Sequence, residues 1–353
     1  MASLEGGKIY PNVTTLRLMA DKYQITFAAL LMPDVLPPTS KIKVQDFRTH
    51  GGQGVKWGPE LLAILDQINL DLEALAELRD YRPDLFSAPV LPEAALTDNP
   101  AVLASNERKR VGLDTDMQLG WATPSEAFKR LRALVEAQGI LVHIVRADTE
   151  EHWRGLTIYD ERQIPLIVIN GDEREPERRI YSLFHEYAHV LLRVSAISGG
   201  RSTSTTEKFC NQFAAHFLMP EDAFKREAIS VHGHALNKWE NSEIKQIATR
   251  FKVTSTAVAL HLENLHLTSQ ALFARTRGLW KGTPKKKGGK PTPYTERIAN
   301  RLGDRHVGIV LKAKAEGLID SVDAHELLVV SPSDFAQLEK KLKERQAAYG
   351  WRR

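Results

Sequence analysis

Phe184–Leu191 reads FHEYAHVL: two histidines four residues apart, with a glutamate directly after the first. On an α-helix such positions are offset by only about 40° and rise about 6 Å, so His185 and His189 can grip one ion from one helix face. Glu186 lies beside them, close enough to reach a water on that ion without ligating it. Leu183, Phe184, Ala188, Val190, Leu191 and Leu192 surround the trio with apolar side chains. Burying three ionisable groups in such a helix is costly unless they share a purpose. The competing reading is an ordinary helix that carries polar residues, and with 12 histidines in the chain the spacing alone does not decide between them.

A third ligand would decide more. Catalytic zinc takes three protein ligands and leaves one position for water. Downstream, residues 206–220 read TEKFCNQFAAHFLMP and predict a helix that stops at Pro220. Glu207 stands at its start, where the helix dipole favours an anion. Asn211, one turn later on the same face, can hold a metal ligand in place by a hydrogen bond. Ala214, Ala215 and Leu218 continue that side and let the two helices approach closely. Phe209, Phe213 and Phe217 form the opposite stripe and read as core. Cys210 reads as a small buried apolar residue, and His216 as a surface or supporting side chain.

Working outward, residues 164–170, IPLIVIN, predict a strand apolar enough to be buried on both faces. ILVHIV, residues 140–145, predicts another. Between Thr123 and Gly139 a helix is bracketed by an N-cap threonine, Pro124 at its first position, Glu126 closing a capping box and a terminal glycine. Residues 197–205, ISGGRSTST, read as a flexible polar tract that ends the motif helix. These elements form a compact unit over residues 120–225.

The flanks are mainly helical. Residues 11–31 predict two short helices and residues 58–80 a long one, with proline-rich connections after each. Residues 241–267 predict two helices joined by a tight turn, with Ile244, Ile247 and Ala248 on one apolar face and Val258, Leu262 and Leu265 on the other. Lys281, Lys285, Lys286, Lys287 and Lys290 stand in a Gly/Pro-rich linker without acids. The tail from Thr295 to Arg353 reads as mixed helix and short strand. The organisation expected is a connector over 1–50, a helical lead-in over 51–119, the compact unit, a helical segment over 226–278, a basic linker over 279–294 and a C-terminal region over 295–353 whose role the residues do not reveal.

Composition bounds the setting. The chain has 353 residues, 42% hydrophobic and 26% charged, ordinary values for a globular protein. Its single cysteine excludes an internal disulfide and a thiol-rich metal cage, and fits a reducing compartment. The N-terminus has no apolar run of signal-peptide length, and no stretch approaches the roughly 18 unbroken apolar residues of a membrane helix. A cytoplasmic protein with no membrane contact is expected. The net charge of +4 permits contact with nucleic acid without demanding it.

The run IPLIVINGDEREPERRIYSLFHEYAHVLL, followed by TEKFCNQFAAHFLMP, resembles the ImmA/IrrE family of zinc metallopeptidases. That family's pattern is a strand ending in Asn, an HExxH helix, then E-x-x-x-N-x-F-A-A and L-M-P. ERKRVGLDTDMQLGW, residues 107–121, is similar to the family's lead-in. The resemblance implies an α+β fold of the zincin-like kind, a small mixed sheet packed on helices that include the HExxH helix. It implies zinc held by His185, His189 and Glu207, with Glu186 as general acid/base. Residues 4–23, LEGGKIYPNVTTLRLMADKY, resemble the second half of an Xre-type helix-turn-helix domain without its earlier helices, so this remnant is not expected to read DNA. The function implied is cleavage of a partner protein, a helix-turn-helix transcriptional repressor, to relieve repression. Two other readings stand beside it: a DNA-binding regulator with a structural or sensory metal, touching DNA through residues 242–290, and an antitoxin-like anti-repressor that acts by binding. Tyr181, His232 and His234 are candidates for an oxyanion donor. Residues 166–170 would hold an extended substrate by strand addition if they lie at a sheet edge beside the cleft.

Overall fold

Leu166–Asn170 is the strand around which the other elements assemble. The computed structural model of the chain describes residues 12, 13, 15, 18, 19, 45–46, 59–146, 153–160, 164–173, 175–198, 204–233, 238–268, 272–276 and 292–350. Its strands are β1 (Gln45–Asp46), β2 (Leu141–Val145), β3 (Gly155–Ile158), β4 (Leu166–Asn170) and β5 (Ala196–Ser198). They form one mixed sheet in the order β1-β5-β3-β4-β2. β4 runs parallel to β2, pairing Leu166 with Leu141, and antiparallel to β3, pairing Val168 with Leu156. β5 is antiparallel to β3 and parallel to β1.

This order corrects one expectation. β4 is an interior strand, bonded on both sides, so it has no free row of amides for a peptide to join. Its unbroken apolar run already fits such a place, because strands covered on both faces lose the alternation of edge strands. β5, like β4, lies one place in from an edge of the sheet, and the polar tract after it disguises it in the sequence.

The helices are α1 (Pro59–Tyr81), α2 (Pro100–Val111), α3 (Thr115–Gly120), α4 (Pro124–Glu136), α5 (Pro176–Leu191), α6 (Thr205–Leu218), α7 (Glu221–His232), α8 (Asn241–Phe251), α9 (Ser255–Asn264), α10 (Leu272–Thr276), α11 (Tyr294–Ala315), α12 (Ser321–Leu328) and α13 (Phe335–Tyr349). Thr123 caps α4 as its sequence predicts, its Oγ1 accepting from Glu126 N at 3.1 Å, but the predicted capping box does not close: Glu126 Oε2 accepts at 3.0 Å from Ala122 N, one residue before the N-cap amide.

Alternate residues of the sheet feed two cores. Val142, Ile167 and Ile169 face a front layer that contains α5, α6 and the apolar sides of α8 and α9. Leu141, Leu156, Leu166, Val168 and Ile197 face a back layer built from Leu65, Leu72 and Leu75 of α1 and from α11–α13. The tail therefore covers the second face of the sheet. Among the described residues from 292 to 350 it is helical, and no strand forms there. The β-branched pair Val329–Val330 instead ends α12, with Val329 in the left-handed region at φ 54°.

α11 bends where it crosses α4 and β2. Gly303 has φ 85°, and a Cβ there would lie 2.7 Å from Arg132 Nη2. Only glycine fits both conditions. Beneath it Arg132 donates to the carbonyls of Asn300, at 2.6 Å, and Val142, so the outer strand β2 is covered rather than left as an exposed edge. Among the described residues no helix is long and apolar enough to cross a membrane. Most of residues 4–23 and all of the lysines at 281–290 lie outside the described residues.

Candidate metal centre

α5 is buried almost continuously from Ile180 to Leu191, which seats its histidines inside the molecule. His185 is 6% exposed, and His189 and Glu186 are fully buried. α6 approaches the same face. Ser204 caps its N-terminus, accepting from Glu207 N at 3.2 Å, so the Glu207 carboxylate sits in the first turn near the positive end of the helix.

The three ligand-type side chains converge. His189 Nε2 is 3.3 Å from His185 Nε2 and 3.1 Å from Glu207 Oε1, and His185 Nε2 is 3.3 Å from Glu207 Oε2. Donors bonded to zinc at 2.0–2.1 Å in tetrahedral geometry stand about 3.3 Å apart, so the trio has the spacing a zinc ion requires. Asn211 Oδ1 lies 3.1 Å from His185 Nδ1, and Tyr181 Oη donates to the Asn211 carbonyl at 3.0 Å. A proton on Nδ1 of His185 satisfies Asn211 and leaves the Nε2 lone pair facing the centre. Lone pairs of two imidazoles and a carboxylate then point at one spot, which demands positive charge there.

The titration shifts express that demand. Burial pushes Glu207 up, but its hydrogen bonds with His185 and His189 outweigh burial and hold its carboxyl at about 2. For His185 burial lowers the pKa, and the Glu207 hydrogen bond and charge, Glu186 and Asn211 together leave it raised. Glu186 is raised by burial, against the pull of both histidines and Thr157.

The Glu186 carboxylate lies against β3. Thr157 Oγ1 donates to its Oε2 at 2.7 Å, and Oε1 is buried with no hydrogen-bond partner among the described residues. Gly155 makes room for it: a Cβ there would be 2.7 Å from Glu186 Cδ. Ser198, at the end of β5, places its hydroxyl 3.2 Å from His185 Nε2 and 3.3 Å from His189 Nε2. Sequence reading finds none of these three, because a lone Thr, Gly or Ser about thirty residues before the motif or nine after it carries no spacing signal.

The other sequence candidates go elsewhere. Cys210 is fully buried in the front core, where burial pushes its thiol well up. His216 is half-buried with its ring 5.0 Å from that of His261. Tyr181 is bonded to Asn211, and His232 pairs with Glu243 at 2.9 Å and stacks on Trp239. His234 lies outside the described residues.

A mixed sheet carrying an HExxH helix, with a second helix closing a buried His-His-Glu trio over it, defines a zincin-like metallopeptidase domain of α+β class. Residues 135–263 match the peptidase family model described as the IrrE N-terminal-like domain, and this stretch belongs to the ImmA/IrrE family. No curated protein matches the chain.

Proposed function

We propose that the chain is a zinc-dependent endopeptidase that hydrolyses peptide bonds in a partner protein. The observation that carries this reading is the convergence of His185, His189 and Glu207 at 3.1–3.3 Å beside a buried, unpartnered oxygen of Glu186. His185, His189 and Glu207 hold the metal, and Asn211 orients His185. Zinc bound there supplies Lewis acidity, acidifying a water toward a pKa of about 7 and drawing charge from the carbonyl under attack. Glu186 performs the proton transfers. Its Oε2 is engaged by Thr157, so Oε1 accepts the proton of the attacking water and returns it to the leaving amine. Burial raises the Glu186 carboxyl above its ordinary value, against the pull of His189 and His185.

The partner, on the family resemblance, is a helix-turn-helix transcriptional repressor cut in the cytoplasm. A DNA contact through residues 242–290 is the competing idea: in its described part Ile244, Ile247, Phe251, Val258 and Leu262 are buried in the front core, and Lys245 and Arg250 stand on the exposed face. Co-expression with repressors encoded by neighbouring genes tests the reading. A discrete cleavage product is expected, and Glu186→Gln keeps zinc but loses the product. Cutting that survives the substitution would contradict the role of Glu186. No cleavage, with a gel shift that weakens steeply with salt, would favour the DNA-binding regulator.

A further inference from the structure

The hydroxyl of Ser198 lies within 3.3 Å of both imidazole nitrogens of the trio. Four polar atoms meet at the centre: His185 Nε2, His189 Nε2, a Glu207 carboxylate oxygen and Ser198 Oγ. Five separations link the four side chains, at 3.3, 3.1, 3.3, 3.2 and 3.3 Å. The Glu207 separations are to different carboxylate oxygens, Oε1 facing His189 and Oε2 facing His185, while the two from Ser198 match the His185–His189 separation and the edge of a tetrahedron around zinc, about 3.3 Å. Ser198 is 4% exposed and is the last residue of β5.

We infer that Ser198 Oγ is the fourth ligand of the resting metal, closing the position that water and substrate need. The inference rests on the metal-centre reading above. A neutral hydroxyl is a weak ligand beside two imidazoles and a carboxylate, so it closes the site without locking it. The strand that carries it is held from both sides, by β3 and by β1. Docking of Gln45–Asp46 thus helps hold the hydroxyl over the centre, and release of β5 frees the vertex. The site is a peptidase centre with a built-in plug, and substrate or a partner must displace it.

Two variants of the full chain test this with Co2+ as the probe and visible absorption as the readout, independently of any substrate. Ser198→Cys replaces the oxygen with sulfur and reads whether the side chain reaches the metal: a thiolate-to-cobalt charge-transfer band is expected. Wild type should lack it, since Cys210 lies in the core. Ser198→Ala removes only an oxygen and reads occupancy. If the hydroxyl holds the vertex nine-tenths of the time, acetohydroxamate should bind the cobalt protein about tenfold more tightly in Ser198→Ala than in wild type. Unchanged hydroxamate affinity overturns the inference, with or without the band, and so does a cobalt-loaded Ser198→Cys protein that shows no band; both leave the metallopeptidase reading standing. A wild-type chain that takes up no Co2+ overturns both.

Discussion

Glu186 depends on two residues of a strand that carries no motif. Thr157 fixes one carboxylate oxygen by a 2.7 Å hydrogen bond, and the missing side chain of Gly155 lets the carboxylate lie flat against the sheet. Thr157→Val should therefore leave metal content unchanged while turnover falls about 10- to 100-fold, the usual effect of removing a supporting hydrogen bond at a metal site. Thr157→Ser, which keeps the hydroxyl, should recover most of it. Metal analysis and cleavage rates measured on the same preparations check this, and a Val variant as active as wild type would contradict it. The contrast with the histidines explains what can be read at this scale. Four residues on a helix bring side chains together by geometry alone, so His185, Glu186 and His189 are legible, and one further turn of reasoning reaches Glu207 and Asn211. Thr157, Gly155 and Ser198 arrive through sheet pairing, which a single sequence does not encode in local spacing.

At the scale of elements, the centre is only as well placed as α6. That helix presents Glu207 at its start, and its far end is fastened by buried donors. Arg108 of α2 donates to Phe217 O at 2.7 Å and to Gln118 Oε1 at 2.7 Å, Gln118 of α3 donates to Leu218 O at 2.9 Å, and His261 lies 3.0 Å from Met219 O. The carbonyls at a helix C-terminus lack partners within the helix and favour a cation. Burial draws Arg108 down to about 10, still charged at neutral pH. Arg108→Met should cost about 2–3 kcal/mol, the price of a buried carbonyl left without its donor. Denaturant unfolding measures it, and a change within about 0.5 kcal/mol, as for an ordinary surface substitution, would contradict the anchoring role. The lead-in ERKRVGLDTDMQLGW stands out in the sequence only by its resemblance to a family pattern, and its purpose is not legible there. Arg108 and Phe217 stand 109 positions apart, and the contact exists only after folding. β5 was hidden for a related reason: three residues before a Gly/Ser-rich tract carry too little pattern to announce a strand.

Across the whole molecule the sheet joins two cores, and the C-terminal helices seal the second. Where β2 meets α11, His143 Nε2 lies 3.0 Å from His306 Nδ1, both buried. Burial, first, then the facing His306, Arg132 and Arg301 hold His143 well below its ordinary value. Burial holds His306 at about 4 and His261 at about 3. In the unfolded chain these imidazoles take up protons near their ordinary 6.5. Between that value and about 4 these imidazoles bind more protons in the unfolded state than in the folded one, so their contribution to stability rises with pH across the window and is lost on acidification, while the carboxyls of buried Glu136 and half-buried Asp71, raised to about 7 and about 6, contribute with the opposite sign. His306→Gln should therefore lose less melting temperature than wild type as the pH is lowered from 6.5 toward 4, and parallel profiles would contradict the buried neutral state. The α+β class was legible because two apolar strands and several capped helices carry strong local patterns. The tail's place over the back of the sheet was not, since its apolar faces could pack anywhere until Leu166 and Val168 are seen to need a cover.

The central claim is a transition metal held by His185, His189 and Glu207. Elemental analysis of purified protein, by mass spectrometry of the metal content, tests it most directly. Stoichiometric zinc is expected in wild type and in Glu186→Gln, with most of it lost in Glu207→Ala. Wild-type protein free of transition metal, or zinc retained in full after Glu207→Ala, would contradict the account.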